Sequence, residues 1–452
     1  MKDVKQTVES LIEYAKQHLE LKADDEIYIK NRVLEVLIKS ETEDLTEEEK
    51  DEIYGLLSLL PSEINAKFQR LLKENSKIAT DWFYSYCVHN GYVKKAILDK
   101  NPRFEIDGLI ITINKAKPEF RDPKKAKASN SVDGGFAQCV ICRENEGYGA
   151  RNKRNLRTVS LKLGGEPWFW QYSPYGYFNE HGIAVNCKHT PMHIDKNTFE
   201  KLMDFVDIFP HYFIGCNAPL PRIGGSVLAH DHYQGGGEIL PMHKAGAVYS
   251  LKHCDYPDAI IEIVNWQGTV IRVVSKNRNT ITELCDLVRL TWENYENKEL
   301  GIIPKDEDGL HSTISPTVVK TSRGYEMSNI LRNNITSIEY PDGVFHAHPE
   351  YHIIKKESIG LIEAQGLFIL PGRLEEQLSE IEKIIERNEK LPLEYSEFKF
   401  VYDEVKAIGG NVHYAMQKEL SSICSRILDN TAVFKDKKQT VKFLTDIGFE
   451  LC

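Results

Sequence analysis

The sequence predicts an α+β protein, with antiparallel sheet through the middle of the chain and amphipathic helices at both ends. Three observations lead there. Before residue 104 the apolar residues keep helical spacing; between about 104 and 373 short β-branched and aromatic runs alternate with polar turns; after 374 helical spacing returns. A repeated strand–helix–strand cadence would signal a parallel sheet, and that cadence is missing.

In the first region Val8, Leu11, Ile12, Ala15 and Leu19 fall on one helix face, as do Ile53, Leu56, Leu57 and Leu60 ahead of Pro61. The acidic stretch 40–50 reads as a surface turn into a helix start. From Phe104 the character changes, and Ile106, Leu109, Ile110, Ile111 and Ile113 predict strand. Arg121, Lys124, Lys125 and Lys127 follow, a basic stretch in an acidic chain that suits either a solvated loop or one that touches phosphate. Trp168–Tyr175 and Gly182–Val185 are strand-like. Between them and the next strands, Phe199, Leu202, Met203, Phe205, Val206 and Phe209 mark one crossing helix. Strands are expected again over Ile260–Val274 and Ser337–Leu370, with a helix at Ile281–Tyr295. The tail is helical over Leu374–Asn388 and Phe398–Leu428.

At 452 residues, 41% apolar and 27% charged, the chain has the composition of a soluble globular protein with a large core. Its net charge of −10 offers no general attraction to nucleic acid or to an anionic membrane, so neither is an expected partner. The N-terminus has no apolar leader, and no run of about 18 apolar residues occurs. The expected location is the cytoplasm, where nine cysteines are free thiols or metal ligands rather than disulfides.

Chemistry concentrates in Gly224-Gly225-Ser226-Val227-Leu228-Ala229-His230-Asp231-His232-Tyr233-Gln234-Gly235-Gly236. As a strand, this run places His230, His232 and Gln234 on one face, where a core would prefer Val or Ile. A neutral imidazole can attack phosphorus and so divide one transfer into two easier ones, provided its other ring nitrogen is held by an acceptor. Gln234 can donate to a phosphate oxygen without offering a titratable proton. With no general acid beside it, His232 suits leaving groups already stable as anions. Upstream, Cys139-Val-Ile-Cys142 is a C-x-x-C hairpin followed by His189 and His230; metal ligation and ordinary buried thiols are equally good readings of it. Residues 345–350, Phe-His-Ala-His-Pro-Glu, repeat the alternating pattern with His346, His348 and Glu350.

The run Leu220 to Gly236 resembles the signature of the second class of galactose-1-phosphate uridylyltransferases. Matching stretches stand in order at Cys139–Tyr148, Gln171–Tyr175, Asn179–His181, His189–Met192, Phe209–Gly215, Phe345–Glu350 and Lys355–Glu363. The resemblance implies two histidine-triad-like halves, 104–255 carrying the nucleophile and 256–373, between a helical N-terminal region 1–103 and a helical C-terminal region 374–452. It implies UMP exchange between UDP-glucose and galactose 1-phosphate in the Leloir pathway of galactose metabolism, by ping-pong double displacement through a uridylyl-histidine. His232 is then the nucleophile, and Gln234 bonds the transferred phosphoryl group. Asn217, Arg222, Ser226, Lys356 and Glu363 are the expected substrate contacts.

Zinc, bound in the first class by C-x-x-C and two histidines, falls here on Cys139, Cys142, His189 and His230. The pair His346 and His348 resembles a second metal pair of that class without its remaining ligands. Expected partners are UDP-glucose or UDP-galactose, hexose 1-phosphates, and a second copy of the chain in a homodimer. One departure stands out: Pro221-Arg222-Ile223-Gly224-Gly225 occurs where Pro-Ile-Val-Gly-Gly is the class pattern. Arg222 there suits either a pyrophosphate contact or an orientation toward solvent. Rival readings are a related nucleotidyltransferase or phosphorylase acting on another nucleotide, an inactive sugar-nucleotide binding protein, and a metal-dependent hydrolase built on His346, His348 and His352.

Overall fold

A computed structural model describes residues 4–40, 44–115, 135–225, 227–307 and 309–452. In chain order the strands are β1 (Arg103–Ile106), β2 (Leu109–Asn114), β3 (Val159–Leu163), β4 (Glu166–Tyr172), β5 (Gly182–Asn186), β6 (Phe213–Gly215), β7 (His232–Gly236) and β8 (Ala247–His253). They continue with β9 (Ile260–Val264), β10 (Val270–Ser275), β11 (Lys305–Asp306), β12 (Gly309–Leu310), β13 (Ser312–Thr321), β14 (Gly324–Asn333), β15 (Leu367–Pro371) and β16 (Phe449–Leu451). The described residues form two compact units, one drawn from Met1–Ala96, Ala128–Thr190 and Ala229–Gly236, the other from Ile97–Lys127, Pro191–Leu228 and Gly237–Cys452.

The first unit opens with helices Val4–His18, Glu26–Lys39, Glu47–Leu57, Pro61–Glu74 and Ser76–His89. Their ends are written in the sequence. Thr46 and Glu49 form a reciprocal capping box, Pro61 begins its helix, and the Asn75 side chain accepts from the backbone of Lys77 and Ile78. Its strands pair antiparallel in the order β7-β5-β4-β3. On one sheet face Trp168, Trp170, Tyr172 and Tyr233 point toward apolar cover: Trp168 stacks on Tyr233 at 4.7 Å, and Tyr172 packs on Phe83 while bonding the Thr80 carbonyl. The opposite face carries Phe169, Gln171, Ile183, Val185, His232 and Gln234, because side chains alternate along each paired strand.

The second unit holds an antiparallel run β16-β8-β9-β10-β14-β13-β6 and a small sheet β1-β2-β15 in which β2 and β15 are parallel. Helices Lys196–Ile208 and Arg278–Trp292 pack together, and the Trp292 indole donates to the carbonyls of Thr313 and Arg332. Helices Leu374–Glu386 and Val412–Thr431 share a core with Ile111, Phe368 and Ile354. No helix among the described residues is long and apolar enough to cross a membrane.

The α+β class and the helical ends follow the sequence expectation, and two stretches do not. Over Ser337–Leu370 only β15 forms, since Pro341, Gly343, Pro349 and Gly360 interrupt the apolar residues there. His346, His348 and Glu350 consequently share no strand face: His346 is buried, Glu350 exposed, and the backbone runs from coil into a short 3-10 helix at Pro349–Tyr351. The long hairpin β13–β14 lies instead at 312–333, where Ser, Thr and Asn fill buried positions that an apolar pattern does not register.

Buried histidines, His181, His243 and His346 among them, tie this fold to pH. Burial pushes His181 down to about 4, His243 to about 3 beside Arg272, and His346 to about 4, where Arg332 and His352 also oppose its charge while Asp342 and an Ala347 bond favour it. Each folded pKa lies below the unfolded value of about 6.5, so the stability these groups contribute is complete above that pH and is lost as pH falls toward the folded values. By linkage each costs on the order of 1–2 kcal/mol at pH 5. Thermal unfolding at pH 5 is expected several degrees below that at pH 7.5, with a shallower slope in His346→Gln. Equal slopes in the two proteins would assign the acid sensitivity to other groups.

Candidate functional site

Four predicted ligands converge in the first unit. Cys139 and Cys142 sit on a tight turn closed by the Cys142 N–H donating to the Cys139 carbonyl at 3.3 Å, and the Asn145 amide clasps both cysteine carbonyls at 2.8 and 3.0 Å. His189 follows β5 and His230 precedes β7, so the pairing of those strands brings them to the same end of the sheet. The sulfurs are 3.5 Å apart; His230 Nδ1 lies 3.3 and 3.6 Å from them, and His189 Nδ1 lies 3.3 Å from Cys142 Sγ. A tetrahedral ion with metal–sulfur bonds of about 2.3 Å and metal–nitrogen bonds of about 2.0 Å has ligand–ligand edges of roughly 3.3–3.8 Å. The four distances above fall in that range, and all four ligand atoms lie within 4.8 Å of one another. His230 Nε2–H donates to the Asn186 carbonyl at 2.8 Å, which leaves Nδ1 as the bare nitrogen facing the two sulfurs. Burial and the neighbouring Cys142 sulfur push the Cys139 thiol up to about 12, an environment in which a thiolate needs a cation beside it. This cluster could hold a metal ion.

The alternation noted in the sequence is narrower than expected. The strand starts at His232, and the chain from Val227 to Ala229 runs through turns, so His230 stands outside the strand and faces the cysteines, while His232 and Gln234 alone share a face. His232 Nδ1–H donates to the His230 carbonyl at 2.7 Å. Burial holds this imidazole neutral, down to about 4. Its single proton is therefore on Nδ1, and Nε2 is a bare nitrogen with no hydrogen-bond partner among the described residues.

His181, quoted only as part of a motif in the sequence, completes the group: its Nε2 lies 3.3 Å from Gln234 Oε1. It arrives there because Gly182 opposes Gly235 in the β5–β7 ladder, a pairing that spacing alone does not reveal. Glycine at 182 has a steric cause, since a Cβ there would stand 2.3 Å from the Trp170 ring.

The expected substrate contacts Asn217, Arg222, Lys356 and Glu363 belong to the second unit, and three of them make bonds within it. Asn217 is buried and its Oδ1 accepts from the Leu361 N–H at 2.9 Å. Arg222 adopts φ +70 and donates to the Asn334 carbonyl at 2.8 Å. Glu363 bonds Lys355 at 2.8 Å, and Lys355, which also reaches Glu357 and the Ile369 carbonyl, is buried; Lys356 beside it is exposed. Ser226 and the basic stretch Arg121–Lys127 lie outside the described residues. Among the described residues His346, His348 and His352 join no ligand cluster; apart from the quartet, only His253, Cys254 and Asp255 gather, at a largely exposed turn.

Two family models match the chain in succession: galactose-1-phosphate uridyl transferase, N-terminal domain, over residues 6–191, and galactose-1-phosphate uridyl transferase, C-terminal domain, over residues 201–398. Similar proteins include galactose-1-phosphate uridylyltransferase of Bifidobacterium longum, 55% identical over 88% of this chain and 79% of that protein. Proteins of the same name from Clostridium acetobutylicum and Lactobacillus helveticus are 39% and 37% identical, over 90% and 93% of this chain and 86% and 90% of theirs.

Proposed function

The chain belongs to the galactose-1-phosphate uridylyltransferase family, and on that premise we propose that it exchanges UMP between UDP-glucose and galactose 1-phosphate by double displacement on His232. The observation that carries the proposal is the tautomer of that residue. With its proton on Nδ1 and hydrogen-bonded to the His230 carbonyl, His232 presents a bare Nε2 from a fixed ring.

Nε2 attacks the α-phosphorus of UDP-glucose; the nitrogen–phosphorus bond forms as the bond to the β-phosphate oxygen breaks, and glucose 1-phosphate departs as a stable anion. No proton is needed by the leaving group, in keeping with the absence of a general acid beside His232 among the described residues. The ring becomes positively charged as it is uridylylated, and the Nδ1–H bond to a carbonyl stabilises that charge. Gln234 donates to a non-bridging oxygen of the moving phosphoryl group. Galactose 1-phosphate then attacks the same phosphorus from the vacated side, restoring the bare nitrogen and releasing UDP-galactose.

The donor set Cys139, Cys142, His189 and His230 suits zinc, a soft-to-borderline ion that such thiolate–imidazole quartets bind tetrahedrally. Bound there, zinc supplies a structural cross-link, since four protein ligands leave no open position. What these residues do for the reaction is indirect: His230, anchored on both sides, holds the carbonyl that sets the His232 tautomer.

The proposed halves 104–255 and 256–373 have a matching order of elements in their support. The similarity is a three-strand meander, a helix and two further strands: β3-β4-β5 then β6 and β7 in the first, and β8-β9-β10 then β13 and β14 in the second, where β8 lies before residue 256 and the short β11 and β12 precede β13; β7 pairs with β5 and β14 with β10. Initial-rate kinetics with UDP-glucose and galactose 1-phosphate test the function: parallel lines in double-reciprocal plots and one uridylyl group per chain after UDP-glucose alone are expected. Intersecting lines with no covalent adduct would sink the double-displacement reading, and faster exchange from ADP-glucose would redirect the nucleotide assignment.

A further inference from the structure

Gln234 can serve a phosphoryl group only through its amide nitrogen, because its carbonyl would repel the phosphate oxygens. The side chain ends in two nearly isosteric groups and rotates about one bond, so something has to choose between them. The surroundings of His181 make that choice.

His181 is buried, 4% exposed, immediately before β5. Its ring stacks on Tyr177 with centroids 4.9 Å apart at 26° and meets Phe178 at 4.6 Å, while its backbone carbonyl accepts from Ser173 N–H at 2.8 Å. Ring and backbone are thus fixed together. The Tyr177 N–H points at His181 Nδ1 at 3.4 Å, so Nδ1 is an acceptor. A neutral imidazole with Nδ1 accepting carries its one proton on Nε2, and burial keeps this imidazole neutral. An Nε2–H at 3.3 Å can bond only to the carbonyl end of Gln234. The two amide hydrogens of Gln234 are then turned away from His181, and its nitrogen has no partner among the described residues.

We propose that His181 is a positioning residue for phosphoryl transfer, which, by donating from Nε2 to Gln234 Oε1, turns the Gln234 amide hydrogens toward the group carried on His232. The inference rests on the uridylyl-histidine reading for its function, and on the ring geometry alone for the orientation.

His181→Phe keeps the stacking and removes the donor; His181→Gln returns an amide donor near the Nε2 position. His181→Phe is expected to lower kcat about 10-fold, a fraction of the 10²–10³ that loss of a direct transition-state donor costs, with KM for UDP-glucose within about 3-fold. His181→Gln should recover part of the loss. In a Gln234→Ala background His181→Phe should add less than about 2-fold, because the group it orients is gone. Additive losses, or a rise in KM with kcat unchanged, would overturn the proposal. Nitrogen-15 spectra of the wild-type histidines give a readout independent of turnover and of how the variants fold: an Nε2–H tautomer at His181 supports the orientation, and an Nδ1–H tautomer refutes it. If the wild type forms no uridylyl adduct, the reading of the preceding section falls, and the tautomer still decides the orientation by itself.

Discussion

Replacing His232 by glutamine should abolish the covalent uridylyl adduct and lower kcat by about 10⁴-fold or more, with UDP-glucose affinity changed only a few-fold. The magnitude follows from what the substitution removes. An amide nitrogen has no available lone pair, so no phosphoramidate forms, and the remaining route is direct transfer between two anions without the intermediate that separates them. Binding should survive because the amide can still occupy the buried site and donate to the His230 carbonyl, the bond that the imidazole makes at 2.7 Å. Single-turnover mixing followed by intact-mass measurement gives a direct reading. Adduct persisting in His232→Gln would move the nucleophile elsewhere, whereas adduct lost together with UDP-glucose binding would mark His232 as a packing residue of β7.

The polar character of β7 was legible in the sequence because a polar residue in a strand declares itself against its neighbours: His232 and Gln234 share a face with Phe169, Ile183 and Val185, where Gln171 is also polar. The metal quartet was half legible. C-x-x-C fixes a local turn and states its own geometry, but His189 and His230 approach it through the β5–β7 ladder, a long-range pairing that no spacing rule encodes.

His181 was illegible for the same reason. It shares a motif with Asn179 and becomes a partner of Gln234 only when Gly182 lies opposite Gly235. The errors in the second unit have a different origin. Buried Ser315, Thr317, Ser328 and Asn333 lie on strands held by hydrogen bonds, so hydropathy passed over β13 and β14. Ile338, Val344, Phe345 and Ile353 lent a β-like look to a segment that its prolines and glycines keep irregular.

Cys139→Ser should release the bound ion and lower Tm by roughly 10 °C, while the chemistry of whatever fraction stays folded changes far less. The quartet joins the C-x-x-C turn to the ends of β5 and β7, elements far apart in sequence, so an ion bound there stabilises the fold in proportion to its affinity. Serine keeps the shape but offers a hydroxyl in place of a thiolate, which weakens binding of a thiophilic cation severely. A loss of about 3–5 kcal/mol, at 2–4 °C per kcal/mol for a unit of this size, gives the expected shift. Elemental analysis of the native protein should return one zinc per chain, and Cys254→Ser, at the exposed His253–Asp255 turn, should leave that content intact. Zinc retained in Cys139→Ser but lost in Cys254→Ser would relocate the site. If Cys139→Ser instead stays fully folded but loses adduct formation, the quartet acts on the nucleophile itself, by a path that runs from the ion through His230, whose carbonyl orients His232.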